Sequence, residues 1–428
     1  MRLGKSEIGF RIFMALVLTL VPVVLSGCNL DNITGNNNSD PLVTNKTLKV
    51  GLSVCYTGPA AEKGTPQGNA KLDAIKYIND ELGGVNGYKI EPIFRDTKYD
   101  TAIAVTVINE FISSECLFFT TNSSKDMQAS MEIANRAGFP GFTTFSSPSL
   151  THPPQHIYSQ LPDYGDDWVA FMKYYMENIW QGEGKPKVAL MILQNPTGYG
   201  ARDAATAMAA ELGVEIVGIY EHSTTINDDT ANLLNMKNQN PDIVYISSTP
   251  QPTSVIVKQM IELGIYPGVQ IGCGHGGFTQ SLVELLGADK AEGILGVYPT
   301  VSWDENVPAM AKMKEYCLKY HPENYGNMDY IVSWSEGLII AEILRLAIEN
   351  SPGGVNSLTP QIIEEFGIKR LNGYDVGGLH GPVSYSVGDN RLVKSVRVFK
   401  IEDGQLKVIS GWIETPSIAY ENFDWFGK

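Results

Sequence analysis

What most limits the fold of this chain is a cycle that starts at Leu48 and repeats: a short β-branched strand, a turn bearing glycine or proline, then an amphipathic helix. Leu48 to Val54 reads as the first strand. The turn Thr57-Gly58-Pro59 leads into a helix expected to open at Thr65, with Pro66 in the first turn, where its missing N–H is harmless. Leu72, Ile75, Ile78 and Leu82 fall three and four residues apart on one helix face, and Gly83-Gly84 ends it. The cycle continues with strands expected at 89–95, 117–120 and 141–145 and helices at 102–112 and 125–137. Such alternation predicts a parallel sheet covered on both faces, with helix N-termini and ligand-facing loops gathered at the carboxyl ends of the strands.

After a loop at 150–164 a second series begins, with helices expected at 166–180, 201–212, 230–238 and 253–263 and strands at 187–193, 215–220, 242–247 and 270–271. No obvious repeat links the two series, yet each reads as its own doubly wound sheet. The fold class is therefore α/β with two Rossmann-like lobes, and a length of 428 residues suits two. Beyond about Gly373 the pattern shifts to alternating residues such as Val393, Val396 and Val398, closer to antiparallel strands. The cleft between two such lobes is the default ligand site.

The N-terminus has a different character. Arg2, Lys5 and Arg11 precede the apolar run from Ile12 to Leu25, which is too short to span a bilayer needing about 20 residues and reads as a signal peptide over 1–27. Leu25-Ser26-Gly27-Cys28 looks like a bacterial lipobox, which marks Cys28 for lipidation. Residues 28–46 are rich in Asn, Ser, Asp and Gly and read as a tether between lipid and folded body. The chain carries 32 basic and 47 acidic side chains; loss of Arg2, Lys5, Arg11 and Glu7 with the leader takes the formal charge from −15 to −17. A nucleic-acid partner would call for the opposite excess. Cys55, Cys116, Cys273 and Cys317 remain, open to three disulfide pairings or to four buried thiols.

Several motifs agree in order with one known family. Thr57-Gly58-Pro59 with Gly64 and Gly68, then Gly83-Gly84-Val85-Asn86-Gly87 before a strand ending near Asp96, come first. Gly198-Tyr199-Gly200, Pro241-Asp242-Ile243-Val244, Glu262-Leu263-Gly264-Ile265 and Gly381-Pro382-Val383 follow. Together they resemble the leucine/isoleucine/valine-binding family of ABC-transporter substrate-binding proteins, of the type I periplasmic fold. The resemblance implies a Venus flytrap with a three-segment hinge, lobe one taking 47–162 and 300–372 and lobe two 163–299 and 373–428. It also implies a separate permease and ATPase, and the chain has no G-x-x-x-x-G-K-[S/T] phosphate loop of its own.

By position the resemblance carries the family's carboxylate-holding loops onto Ser124 and Ser146, although helix capping alone also explains serines there. Tyr199 matches the family's lobe-two tyrosine, and Thr249 sits in another ligand-facing loop. Lys63 departs from the aromatic or polar residue usual at its position and reads either as a cation at the cleft or as a solvated loop lysine. Gly272-Cys273-Gly274-His275-Gly276-Gly277 lacks the acidic residue that amino-acid binders supply to the ligand ammonium, leaving His275, which suits a carboxylate or hydroxyl better. That segment also fits G-x-G-x-x-G, but it follows a strand of about two residues at the end of a lobe, not an opening βα turn. Tyr56, Phe145, Trp303, Tyr330 and Trp334 fall near the cleft loops, with Tyr330 favoured over Trp334 as a lining residue.

Neither G-x-S-x-G nor H-E-x-x-H occurs, and Pro153 and Pro154 separate His152 from His156, so neither catalysis nor a metal is expected. The expected protein is an exported, lipid-anchored, monomeric receptor for a small carboxylated solute, an amino acid or an aromatic or aliphatic acid, without cofactor. A sensing receptor of the same fold signalling to a partner, or a binder of amide- or urea-type solutes, is the alternative.

Overall fold

The computed structural model describes residues 46–427; the leader at 1–27, Cys28 and the tether to residue 45 lie outside the described residues. The first half runs β1 (Leu48–Val54), α1 (Ala61–Asp80), β2 (Ile90–Asp96), α2 (Thr101–Ser113), β3 (Phe119–Thr121), α3 (Ser124–Ala137), β4 (Gly141–Thr143), α4 (Pro148–Thr151) and β5 (Ile157–Ser159). These strands form one parallel sheet in the order β2-β1-β3-β4-β5. The second half runs α5 (Tyr164–Asn178), β6 (Lys187–Leu193), α6 (Pro196–Met208), β7 (Glu215–His222), α7 (Thr230–Lys237), β8 (Ile243–Ser247), α8 (Pro250–Glu262), β9 (Gln270–Cys273), α9 (Gln280–Leu286), α10 (Ala288–Ala291) and β10 (Leu295–Tyr298). Then come α11 (Met310–Tyr320), α12 (Met328–Asn350), α13 (Pro360–Ile362), β11 (Ser395–Glu402), β12 (Gln405–Val408) and β13 (Ile413–Glu414). The second sheet has the order β12-β11-β10-β9-β8-β6-β7, parallel from β7 to β10 and antiparallel beyond, as the tail pattern predicts.

Local chemistry sets the helix starts. Asp100 accepts from the Ala102 and Ile103 N–H groups, and Ser123 accepts from that of Asp126. Asp163 and Asp166 form a reciprocal capping box, and Asn195 with Pro196 opens α6. Three starts differ from expectation by three residues or more, that of α8 at Pro250 in place of Thr253 among them. α1 opens at Ala61, because the Gly64 N–H already bonds to Ala60 O, so Pro66 lies in the second turn. α6 opens at Pro196, before the Ala201 start expected, since the cap precedes the proline. β5 lies inside the stretch read as a loop, and its three residues are too few to show a period.

Gly64 and Gly198 are the corresponding close approaches in the two halves: a Cβ would stand 1.8 Å from Cys55 O and 2.1 Å from Leu193 O. Each glycine lets a helix start pack directly on the end of its strand. Residues 374–392 stay beside the first sheet, with Tyr374 paired to Val383 and Ser159 bridged to Arg391. All four described cysteines are free and buried, and burial pushes the Cys116 thiol up to about 11 and the Cys317 thiol up to about 12.

Candidate functional site

Loops from the carboxyl ends of β1, β3 and β4 meet loops from the ends of β6, β8 and β9 around a cavity of about 30 Å³. The first half contributes Cys55, Lys63, Asn122, Ser123, Ser124 and Phe145; the second contributes Tyr164, Thr197, Thr249 and Gly276. A larger groove of about 520 Å³ lies at the opposite end of the first sheet, beside Leu48, Leu117 and Phe139. It lacks the converging helix N-termini, so the small cavity is the better candidate.

The cavity holds room for a water molecule or two because the protein's own side chains cross it. Lys63 Nζ donates to Asp329 Oδ1 at 2.8 Å and to His275 O at 3.2 Å, and lies 4.9 Å from the Phe145 ring centre. Tyr298 OH donates to the same Asp329 oxygen at 2.8 Å, and Gln67 Nε2 does so at 2.7 Å. Ser124 Oγ stands 3.3 Å from Thr197 Oγ1, and Asn195 Nδ2 donates to Tyr99 OH at 3.1 Å. The His275 ring lies between Phe145 and Tyr164, with centroids 4.2 and 4.6 Å away.

Asp167 fixes the His275 loop. Its Oδ2 accepts the His275 N–H at 2.9 Å and stands 2.6 Å from Nδ1, close but off the line of a well-aligned hydrogen bond. Nε2 has no partner among the described residues. Gly276 and Gly277 are packing requirements, since a Cβ on either would meet Ser248 O or Thr253 Oγ1 at 2.6 Å. At the cavity wall the Thr249 hydroxyl is buried with no hydrogen-bond partner among the described residues, so it can be satisfied by a ligand. Burial pushes the Tyr164 and Tyr99 phenols up, keeping both neutral.

The sequence profile of the periplasmic binding protein family matches residues 47–405. The chain belongs to that family. A "Leu/Ile/Val-binding protein homolog 1" of Brucella abortus is 24% identical over 309 residues, covering 71% of this chain and 79% of the relative. A branched-chain amino acid ABC transporter protein of Thermus thermophilus, solved with bound valine, superposes with a TM-score of 0.78 at 22% identity, covering 88% of this chain and 98% of the other. A fatty acid ABC transporter substrate-binding protein of Thermomonospora curvata gives 0.76 at 19%, covering 89% and 95%. The resemblance drawn from the loop motifs is borne out, as is the two-lobe α/β fold.

In this periplasmic binding protein the residues singled out from sequence separate into two groups. Lys63, Ser124, Phe145 and Thr249 line the cavity, and His275 is packed against it through its ring and carbonyl. Four others lie elsewhere. Tyr56 OH donates to Asn69 Oδ1 at 2.9 Å and packs on Phe94, because its loop turns the ring toward β2. Ser146 Oγ is buried against Ser147 O at 3.3 Å. Tyr199 packs partly buried under the Arg202 guanidinium, 4.3 Å from its ring centre, and its neighbour Thr197 takes the cavity wall instead. Tyr330 OH donates to Asp73 Oδ2 at 2.7 Å and is not in the cavity lining. Sequence reasoning passed over Asn122, Tyr164, Thr197, Asp167, Tyr298 and Asp329. The Asn195-Pro196 pair would have placed Thr197 in a helix's first turn; Asp167 and His275 are too far apart in sequence to leave a local sign.

Proposed function

We propose that this periplasmic binding protein is an extracytoplasmic receptor of an ABC importer that binds a small carboxylated solute between its lobes. What carries the reading is the cavity lining: hydroxyls of Ser123, Ser124, Thr197 and Thr249 with the Lys63 ammonium, and neither Asp nor Glu among them. Hydroxyl and ammonium donors beside the N-terminus of the 14-residue α3 match the acceptor oxygens of a carboxylate. The unsatisfied Thr249 hydroxyl gives a reason for a ligand to stay. The names of the two solved relatives differ in solute, branched-chain amino acid against fatty acid, so the ligand is decided by such side chains and not by the fold.

A solute larger than water enters only when Lys63 and Tyr298 release their partners across the cleft, so binding is coupled to lobe motion about the hinge. The lobes are proposed as 47–162 with 300–372, and 163–299 with 373–428, and the pairing of residues 374–392 beside the first sheet favours a third hinge crossing nearer 393. Export, lipidation at Cys28, a monomeric state and a separate permease and ATPase complete the proposal. Among the described residues no helix is long and apolar enough to cross a membrane.

Calorimetric titration with branched-chain amino acids, aliphatic and aromatic acids, urea and short amides tests the reading, with small-angle scattering to follow closure. Saturable binding of a carboxylate with a smaller radius of gyration is expected. Binding confined to urea or amides, or to nothing in the panel, overturns it.

A further inference from the structure

The cation at the cavity raises a question of ligand class that a carboxylate reading alone leaves open, since an α-amino acid brings a cation of its own. We infer that the site selects carboxylates without an α-amino group, because Lys63 already supplies from within the protein the ammonium that an amino acid would bring. The inference rests on the carboxylate reading and narrows it.

Lys63 is turned inward, 7% exposed, and commits two of its three N–H bonds, to Asp329 Oδ1 and His275 O. The third has no hydrogen-bond acceptor among the described residues, and the ammonium faces the Phe145 ring at the cavity wall. A ligand carboxylate can take that remaining donor. A ligand ammonium in the same space meets like charge and finds no carboxylate at the wall.

The carboxyl groups nearby lie outside the cavity lining, although Asp329 Oδ2, Asp167 Oδ1 and Asp126 Oδ1 are buried with no hydrogen-bond partner among the described residues. Asp329 Oδ1 receives Lys63, Gln67 and Tyr298. Asp167 Oδ2 holds the His275 loop. Asp126 lies behind the Ser123 cap and accepts from Thr97 Oγ1 at 2.5 Å. Burial pushes Glu62 up toward its neutral form, and it is absent from the lining. An ammonium held at this lining would lose its water beside the Lys63 charge, with no carboxylate in the lining to pair with.

Titration of the full 428-residue chain with leucine, 4-methyl-2-oxopentanoate and 4-methylpentanoate tests the inference, because the three share a carbon skeleton and differ at the α-carbon. At least one of the two acids without an amino group is expected to bind more tightly than leucine, on the order of 10- to 100-fold. Lys63→Met frees Asp329 to meet a ligand ammonium, so the preference should move toward leucine, whereas Lys63→Arg should keep the wild-type order. Leucine binding as tightly as both acids overturns the inference and leaves the carboxylate reading standing. An unchanged preference in a folded Lys63→Met protein overturns the role of Lys63. Binding of urea or an amide in place of every acid removes the carboxylate reading, and the inference with it. Where Lys63→Met does not fold, the wild-type comparison decides alone.

Discussion

Lys71 and Lys63 stand about two turns apart on α1, and each pairs with an acid on α12, Glu336 at 3.1 Å and Asp329 at 2.8 Å. Their surroundings differ. Lys71 also donates to Thr120 Oγ1, and Glu336 receives the hydroxyls of Thr144 and Ser333, so every partner belongs to the first lobe and both carboxylate oxygens are satisfied. The Lys63 pair draws partners from the other lobe, His275 O and Tyr298 OH, and leaves Asp329 Oδ2 with none among the described residues. A fully satisfied buried pair serves as scaffold; in the proposed hinge motion, a pair with one free oxygen and partners across the cleft would exchange them between closed and open forms. The same charge chemistry thus does fixed work under the cleft and movable work at it.

The largest test of the comparison is Lys71→Met. It strands the Glu336 carboxylate in the core and should destabilise the first lobe by about 3 to 5 kcal/mol in denaturant melts. Adding Glu336→Gln should recover most of that loss, since the uncompensated charge is what destabilises. If Lys71→Met shifts ligand affinity and leaves stability alone, the assignment of this pair as scaffold fails.

Asp126 comes next. Burial raises its carboxyl from 3.8 to about 6, against the downward pull of the Thr97 hydroxyl and the Lys125 charge. A carboxyl raised in the folded state stabilises the fold while protonated, so its contribution is full below pH 3.8 and is lost as pH rises through about 6. His222 and His380, both lowered to about 4 by burial, act in the opposite sense, stabilising above pH 6.5 and losing that contribution as pH falls. The Asp126 contribution is therefore read as the difference between wild type and Asp126→Asn across pH 4 to 7, expected at about 2 to 3 kcal/mol. A flat difference would remove it.

Tyr298→Phe removes one cross-lobe donor to Asp329 and no packing volume. Melting should change little, while the closed state loses about 1 to 2 kcal/mol, visible as weaker ligand binding and a larger radius of gyration without ligand. Equal losses in Lys71 and Tyr298 variants on both readouts would merge the two pairs into one class.

The sequence carried the architecture because periodicity and caps are local. The strand–helix cycle, the end of α1 before Gly83-Gly84 and the antiparallel tail could all be read directly. Gly64 and Gly198 stood out as motifs, and the structure supplies the reason in the approach of a helix to a strand end. What stayed hidden was the direction in which a loop side chain points. Tyr56 and Thr249 both lie in loops that end parallel strands, yet Tyr56 turns to Phe94 while Thr249 meets the cavity. Lys63 and Asp329 are brought together by α1 packing on α12, a contact that no spacing announces.

The smallest effect separates two serines that sequence treated alike. Ser124 Oγ reaches across the cleft to Thr197 Oγ1 and lines the cavity, whereas Ser146 Oγ turns to Ser147 O and is absent from that lining. Ser124→Ala should weaken a carboxylate ligand by about 1 kcal/mol, the net worth of a typical hydrogen bond. Ser146→Ala should leave affinity within about 0.5 kcal/mol, because only a local contact is lost away from the ligand. Calorimetry on the two variants with one acid ligand decides between them. A Ser146→Ala loss equal to that of Ser124→Ala would mean that ligand binding turns the Ser146 loop inward, and the two serines would then share one role.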